Sequence, residues 1–173
     1  MELIVREMRL PETELIVDYF HRRSTPQHLS KLGVDPALLG TPAIWQESFR
    51  REYELPIEQR SGLFAIWLVD GAPAGFSSCD SIEFGESAAM HIHVTDPERR
   101  QQGIGTACTL RSVEIYFQKL KLKRLFCQPN AFNIAPNRTL QRAGFRYLLT
   151  HETTPGPLNF PQAATRWVLD RPE

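Results

Sequence analysis

The stretch VTDPERRQQGIGT, Val94 to Thr106, decides how this chain is read. An apolar run, AAMHIHV, ends at Val94 as a strand would. A loop of basic and amide side chains follows. Gly103 and Gly105 then open a segment in which Ala107, Leu110, Val113, Phe117 and Leu120 recur at threes and fours, which is a helical period. Glycine lets the backbone come close to a ligand, and the free N–H groups at a helix start attract anions. Arg99 and Arg100 stand ready to add charge-assisted donors. A pyrophosphate fits such a turn. The dinucleotide fingerprint G-x-G-x-x-G fails because Cys108 occupies the third glycine position, and the G-x-x-x-x-G-K-[ST] loop is absent.

Upstream of this stretch, Leu3 to Leu10 reads as a strand and Pro11 opens a helix carrying Leu15, Ile16, Tyr19 and Phe20. Three cap-then-proline pairs, Thr25-Pro26, Asp35-Pro36 and Thr41-Pro42, each start a short helix, because the cap accepts an orphan N–H and proline tolerates the first helical position. From Leu63 the pattern becomes hairpins. LFAIWLV turns at Asp70-Gly71, and APAGFSSCD turns near Phe84-Gly85-Glu86 into the strand that ends at Val94. Downstream come a short strand, Lys123 to Cys127, a helix from Pro136 to Ala143 closed by Gly144, and strands near Phe145–His151 and Ala164–Leu169. The mixture predicts an α+β (mixed α/β) fold, with antiparallel hairpins first, a β-α-β unit in the second half, and one domain spanning residues 1–173.

Composition removes several classes. Twenty acidic and twenty basic side chains cancel, so the basic excess that drives nucleic-acid affinity is missing. No apolar run approaches the roughly 20 residues of a membrane helix. The start, MELIVREMRL, lacks the charged-then-apolar pattern of a leader, and the expected location is cytoplasmic. Cys79, Cys108 and Cys127 are odd in number and lack CxxC pairing, which predicts buried reduced thiols rather than disulfides or a cysteine zinc site.

Arg100-Gln101-Gln102-Gly103-Ile104-Gly105 matches the R/Q-x-x-G-x-G/A signature of the GNAT (GCN5-related N-acetyltransferase) superfamily. Asn133 to Phe145, NIAPNRTLQRAGF, resembles that family's second element, in a form similar to the RimJ/RimL-like ribosomal-protein branch. The order of elements from about Leu63 to Leu169 is also the family's. The resemblance implies a central, mostly antiparallel sheet flanked by helices and splayed at a cofactor cleft, with acetyl-CoA as co-substrate and no metal. Backbone N–H groups from Gln102 to Thr106, with Gln101, Ile104 and Gly105 in the same turn, would hold the pyrophosphate beside Arg100. The backbone of His93, Val94 and Thr95 would pair with the pantetheine arm. Asn133 would bond the arm from the other side, and Asn137 or Arg138 would lie near the adenosine phosphates. The expected partner is a small-molecule amine or a protein amino terminus, and homodimers are common in the family.

Amide formation needs a neutral amine, a polarised thioester and a base poised near neutral pH. His91 and His93 are the candidates, because residues two apart on a strand share a face; Met90, Ile92 and Val94 would pack under the helix. Two close imidazoles disfavour double protonation, which keeps one neutral. The resemblance also implies a tyrosine acid four residues before the Gly-Phe glycine, but Leu140 stands there, so the acid is unassigned. Asp80, Glu83 and Glu86, in or beside the hairpin connection, read as solvated turn acids or as acids that attract a cationic amine, and Trp45, Phe160 and Trp167 as either core or acceptor lining. Two other readings stay open: a non-catalytic acetyl-CoA sensor, and a histidine metalloprotein.

Overall fold

The computed structural model describes residues 1–100 and 103–173. Seven strands form one sheet in the order β1-β2-β3-β4-β5-β7-β6. The strands are β1 (Leu3–Glu7), β2 (Leu63–Val69), β3 (Ala72–Glu83), β4 (Ser87–Val94), β5 (Arg124–Cys127), β6 (Arg146–Thr153) and β7 (Gln162–Asp170). Only β4 and β5 pair in parallel; the others are antiparallel. The helices are α1 (Glu14–Asp18), α2 (Pro26–Leu32), α3 (Pro42–Glu54), α4 (Ile104–Lys119) and α5 (Ile134–Arg142).

Local chemistry accounts for the boundaries. Thr25, Asp35 and Thr41 each accept a backbone N–H, from His28, Ala37 and Ile44 respectively, as the cap-then-proline pairs predict. Asp70 and Gly71 both take positive φ, 50° and 79°, the conformation of a two-residue hairpin turn that suits strand twist. β1 stops at Glu7, short of the expected Leu10, because Leu10 begins a 3-10 turn with Glu12 accepting the Arg9 N–H. The helix expected from Pro11 is that turn, then α1, then a π-helical turn over Tyr19–Arg23. α5 starts at Ile134, two residues before Pro136. Proline is tolerated there because first-turn N–H groups have no intrahelical partner.

The sheet is packed on both faces. Under α4, Met90, Val113, Tyr116, Phe117, Leu120, Leu125 and Leu140 form one cluster, which Trp67, Ile104 and Cys108 extend. On the opposite face α1 to α3 bury Met8, Ile16, Tyr19, Phe20, Phe49 and Phe76. All three cysteines are free and buried. Among the described residues, no helix is long and apolar enough to cross a membrane.

Candidate active site

β4 and β5 stay paired for three positions only, Ser87 with Arg124, Ala88 with Leu125 and Ala89 with Phe126. Beyond them β4 continues to Val94, while the chain after Cys127 is drawn toward β7. There the Thr165 N–H donates to the Pro129 carbonyl (3.0 Å) and the Ala131 N–H to Ala163 (2.9 Å). The strands therefore splay. The opening is lined by His91, Ile92 and His93 on one side and by Cys127, Gln128, Asn130 and Asn133 on the other.

The α4 N-terminus stands at the end of this cleft. Gly103 sits at φ 79° and brings no side chain of its own to cap the helix, so among the described residues the first N–H groups have no cap. A Cβ added at Gly103 would meet nothing within 4 Å among the described residues. A Cβ on Gly105 would contact Thr139 of α5 and Val94 at ordinary distances, which ties the turn to both walls. Ile104 is buried and Thr106 half-buried. The Arg100 guanidinium donates to the Val94 carbonyl at 3.4 Å. Gln101 and Gln102 lie outside the described residues.

The peptide groups of β4 divide between its neighbours. The Thr95 N–H donates to Ala74 on β3 (2.9 Å), and the His93 carbonyl abuts Gly75. Because peptide groups alternate along a strand, the groups turned to the cleft are those of Ile92 and Val94. On the far wall the buried Asn133 faces the cleft. Asn137 donates both amide hydrogens, to Asn130 (3.1 Å) and Asn133 (2.8 Å) carbonyls, and accepts from Trp167 Nε1 (2.9 Å). Its donors are thus spent on holding the loop. Arg138 is exposed.

The two histidines share a face but not an environment. His91 Nε2 lies 2.9 Å from Asp80 Oδ2. Burial pushes the Asp80 carboxyl up, but the His91 hydrogen bond and charge and the Ser81 hydroxyl outweigh it, and the group is lowered overall. An ionised Asp80 only accepts, so His91 Nε2 carries a hydrogen, and in the neutral form of the ring Nδ1 is the nitrogen with the lone pair. His93 packs among Tyr19, Phe20 and Phe76, with ring centres 5.2, 5.3 and 4.8 Å away. Burial, followed by the charges of His91 and His28, lowers its pKa to about 3. Its Nδ1 is sealed without a partner.

Asp80, Tyr19 and His28 stand beside the histidines in ways that the residues alone did not announce. Asp80 stands in β3 rather than in a turn. The Tyr19 hydroxyl contacts His28 Nε2 at 2.6 Å beside His93; burial raises Tyr19 to about 12, partly countered by Arg100. Tyr116 is spent in the core against Ser77 (2.7 Å), and Leu140 is buried. Among the described residues no group of three His, Cys, Asp or Glu side chains is placed to hold a metal.

The architecture has relatives. A spermidine N-acetyltransferase from Vibrio cholerae, in complex with CoA and spermine, superposes with TM-score 0.77 at 15% identity, covering 97% of this chain and 95% of that one. A ribosomal-protein-S5-alanine acetyltransferase from Vibrio fischeri gives 0.75 at 18%, covering 98% and 93%. The aminoglycoside acetyltransferase AAC(6')-Ib in complex with coenzyme A gives 0.71 at 18%, covering 98% and 95%. At such identities the likeness is one of fold, and it extends well beyond the ribosomal-protein branch. No curated protein matches the chain in sequence. The family model for the acetyltransferase (GNAT) family matches residues 29–145, and the chain belongs to that family.

Proposed function

We propose that the chain, acting as one GNAT domain, moves an acetyl group from acetyl-CoA to a primary amine within a ternary complex. The observation that carries this reading is the splay: β4 parts from β5 after three residue pairs and runs toward a glycine turn at the head of α4. The turn at Gly103 and the cleft-facing peptide groups of Ile92 and Val94 fit a pantetheine arm ending in a diphosphate. Bound acetyl-CoA would supply an activated thioester carbonyl. Arg100 would exchange the Val94 carbonyl for the phosphates.

We assign the base to His91. A group lowered to about 3 binds a proton too weakly to draw one from an amine at neutral pH, so His93 would serve as a fixed neutral wall. Asp80 orients His91, leaving Nδ1 to take the amine proton as the C–N bond forms and the C–S bond breaks. The departing thiolate, with an ordinary thiol pKa of about 8.5, takes its proton from water. The acceptor class reaches only as far as an amine: the resemblance of Asn133 to Phe145 to the RimJ/RimL-like branch favours a protein amino terminus, while the similar solved structures include an aminoglycoside acetyltransferase and a spermidine N-acetyltransferase.

Incubation with acetyl-CoA and a panel of amines, with free CoA read by a thiol reagent, tests the proposal. Amine-dependent CoA release is the expected result. Binding of CoA with no release for any amine would overturn it in favour of a sensor.

A further inference from the structure

Among the described residues, Arg166 on β7 is a half-buried cation that the chemistry above leaves unused. Its guanidinium carbon lies 4.4 Å from the centre of the Phe126 ring. Its Nε is sealed from solvent without a hydrogen-bond partner. Among the described residues no carboxylate forms an ion pair with it. Buried polar groups are nearly always satisfied, and charged ones most of all. A guanidinium held on an aromatic face and missing its anion is therefore half of a binding site.

The sheet register gives its place. Phe126 lies opposite Ala89 on one side and Val168 on the other. Two residues further along each strand, on the same face, stand His91, Gln128 and Arg166. They make one row across the sheet at the level where the β4–β5 pairing has just ended. Gln128 cannot supply the missing anion; its side-chain carbonyl contacts His151 Nε2 at 2.9 Å. The row thus runs from the His91–Asp80 pair, across the cleft, to an unpaired cation that the Phe126 ring holds in position.

Resting on the acetyl-transfer reading, we propose that Arg166 receives a carboxylate of the acceptor. The amine presented to His91 then belongs to a molecule that is also an acid: a free amino acid, or a peptide beginning with an acidic residue. The planar fork of a guanidinium matches a carboxylate in two hydrogen bonds. The same charge works against polycationic amines, whose further ammonium groups would meet it.

The test uses matched pairs. L-Glutamate, L-phenylalanine and β-alanine are each compared with their own amides, and the dipeptide amide Asp-Ala with Asn-Ala, which separates a free amino acid from a peptide source. CoA release is read with acetyl-CoA, and thermal stabilisation by the same compounds is read at saturating CoA. The acid member of at least one pair should be favoured by about 10- to 100-fold in kcat/KM. That advantage should vanish in Arg166→Gln and survive in part in Arg166→Lys. Equal rates within every pair, or an advantage untouched by Arg166→Gln, would overturn the Arg166 assignment and leave acetyl transfer standing. If no amine is acetylated, yet the acids alone stabilise the protein through Arg166, the anion site stands and the transferase reading falls. Absence of both turnover and such stabilisation overturns the site as well.

Discussion

Asp80 Oδ2 accepts from His91 Nε2 at 2.9 Å across the β3–β4 hairpin. The contact sets a hydrogen on Nε2, and His91 lines the cleft. His91→Gln is expected to lower kcat/KM by about 100- to 10,000-fold, and Asp80→Asn by about 10- to 100-fold, as for other groups that orient a working histidine. CoA affinity should not change in either. Initial rates beside CoA titrations check this, and wild-type rates in both variants would remove the base from His91.

His93 sets an acid limit on stability. Burial and the neighbouring histidines hold it near 3, whereas an unfolded chain's imidazole takes its proton near 6.5. Between those values the unfolded state carries the extra proton, so stability falls as the pH falls, by up to about 1.4 kcal/mol per pH unit. Above about pH 7 the effect is absent. His21 and His28 are lowered in the same direction, so His93→Phe should remove part of the slope. Urea midpoints at pH 7 and pH 5 measure it; an identical slope in His93→Phe would contradict the assignment.

Gly33 closes α2 at φ 74°, and its carbonyl accepts from Gln162 Nε2 and Asn159 Nδ2, both at 2.9 Å. A Cβ there would run into the Gln162 side chain, which also holds Asn130 beside the cleft. Gly33→Ala is expected to cost about 2 kcal/mol or more, from backbone strain and broken buried hydrogen bonds. Denaturant unfolding reads the loss, and a neutral result would mean that the junction yields.

Cys127 lines the cleft as a buried thiol and is expected to take no part in the transfer. Burial pushes its thiol up to about 12, leaving almost no thiolate to attack a thioester. Cys127→Ala should keep kcat within a few-fold, with no burst of CoA before steady state. A burst lost in that variant would establish an acyl-cysteine intermediate instead.

Much of this was legible in the residues. Glycine and proline signals mark local conformations that tertiary packing had no reason to override: the three proline-started helices, the Asp70-Gly71 turn, Gly144, and Gly103 at the head of α4. Asp80 shows where such reading ends. Counting back from the Glu83–Ser87 pair would set Asp80 opposite Met90, on the core face. A bulge at Ser81, with φ 47°, shifts the register so that Asp80 faces Ala89 and shares the face of His91. One bulged residue reverses the side of everything before it, and no residue type announces it. Arg166 escaped for a similar reason, since only the β5–β7 register brings it onto Phe126. The burial of His93 depends on Tyr19 and Phe20 arriving from a π-helical turn, which no periodicity foretells.

The most direct measurement is titration calorimetry of CoA into the wild type, Gly103→Ala and Gly103→Glu, with melting temperatures as a check on folding. Both variants carry the same left-handed strain, and only the second sets a negative charge before the α4 amides. Measurable binding in the wild type and in Gly103→Ala, with none in Gly103→Glu, is the predicted result. Binding in Gly103→Glu equal to that of the wild type would mean that the diphosphate is held somewhere else.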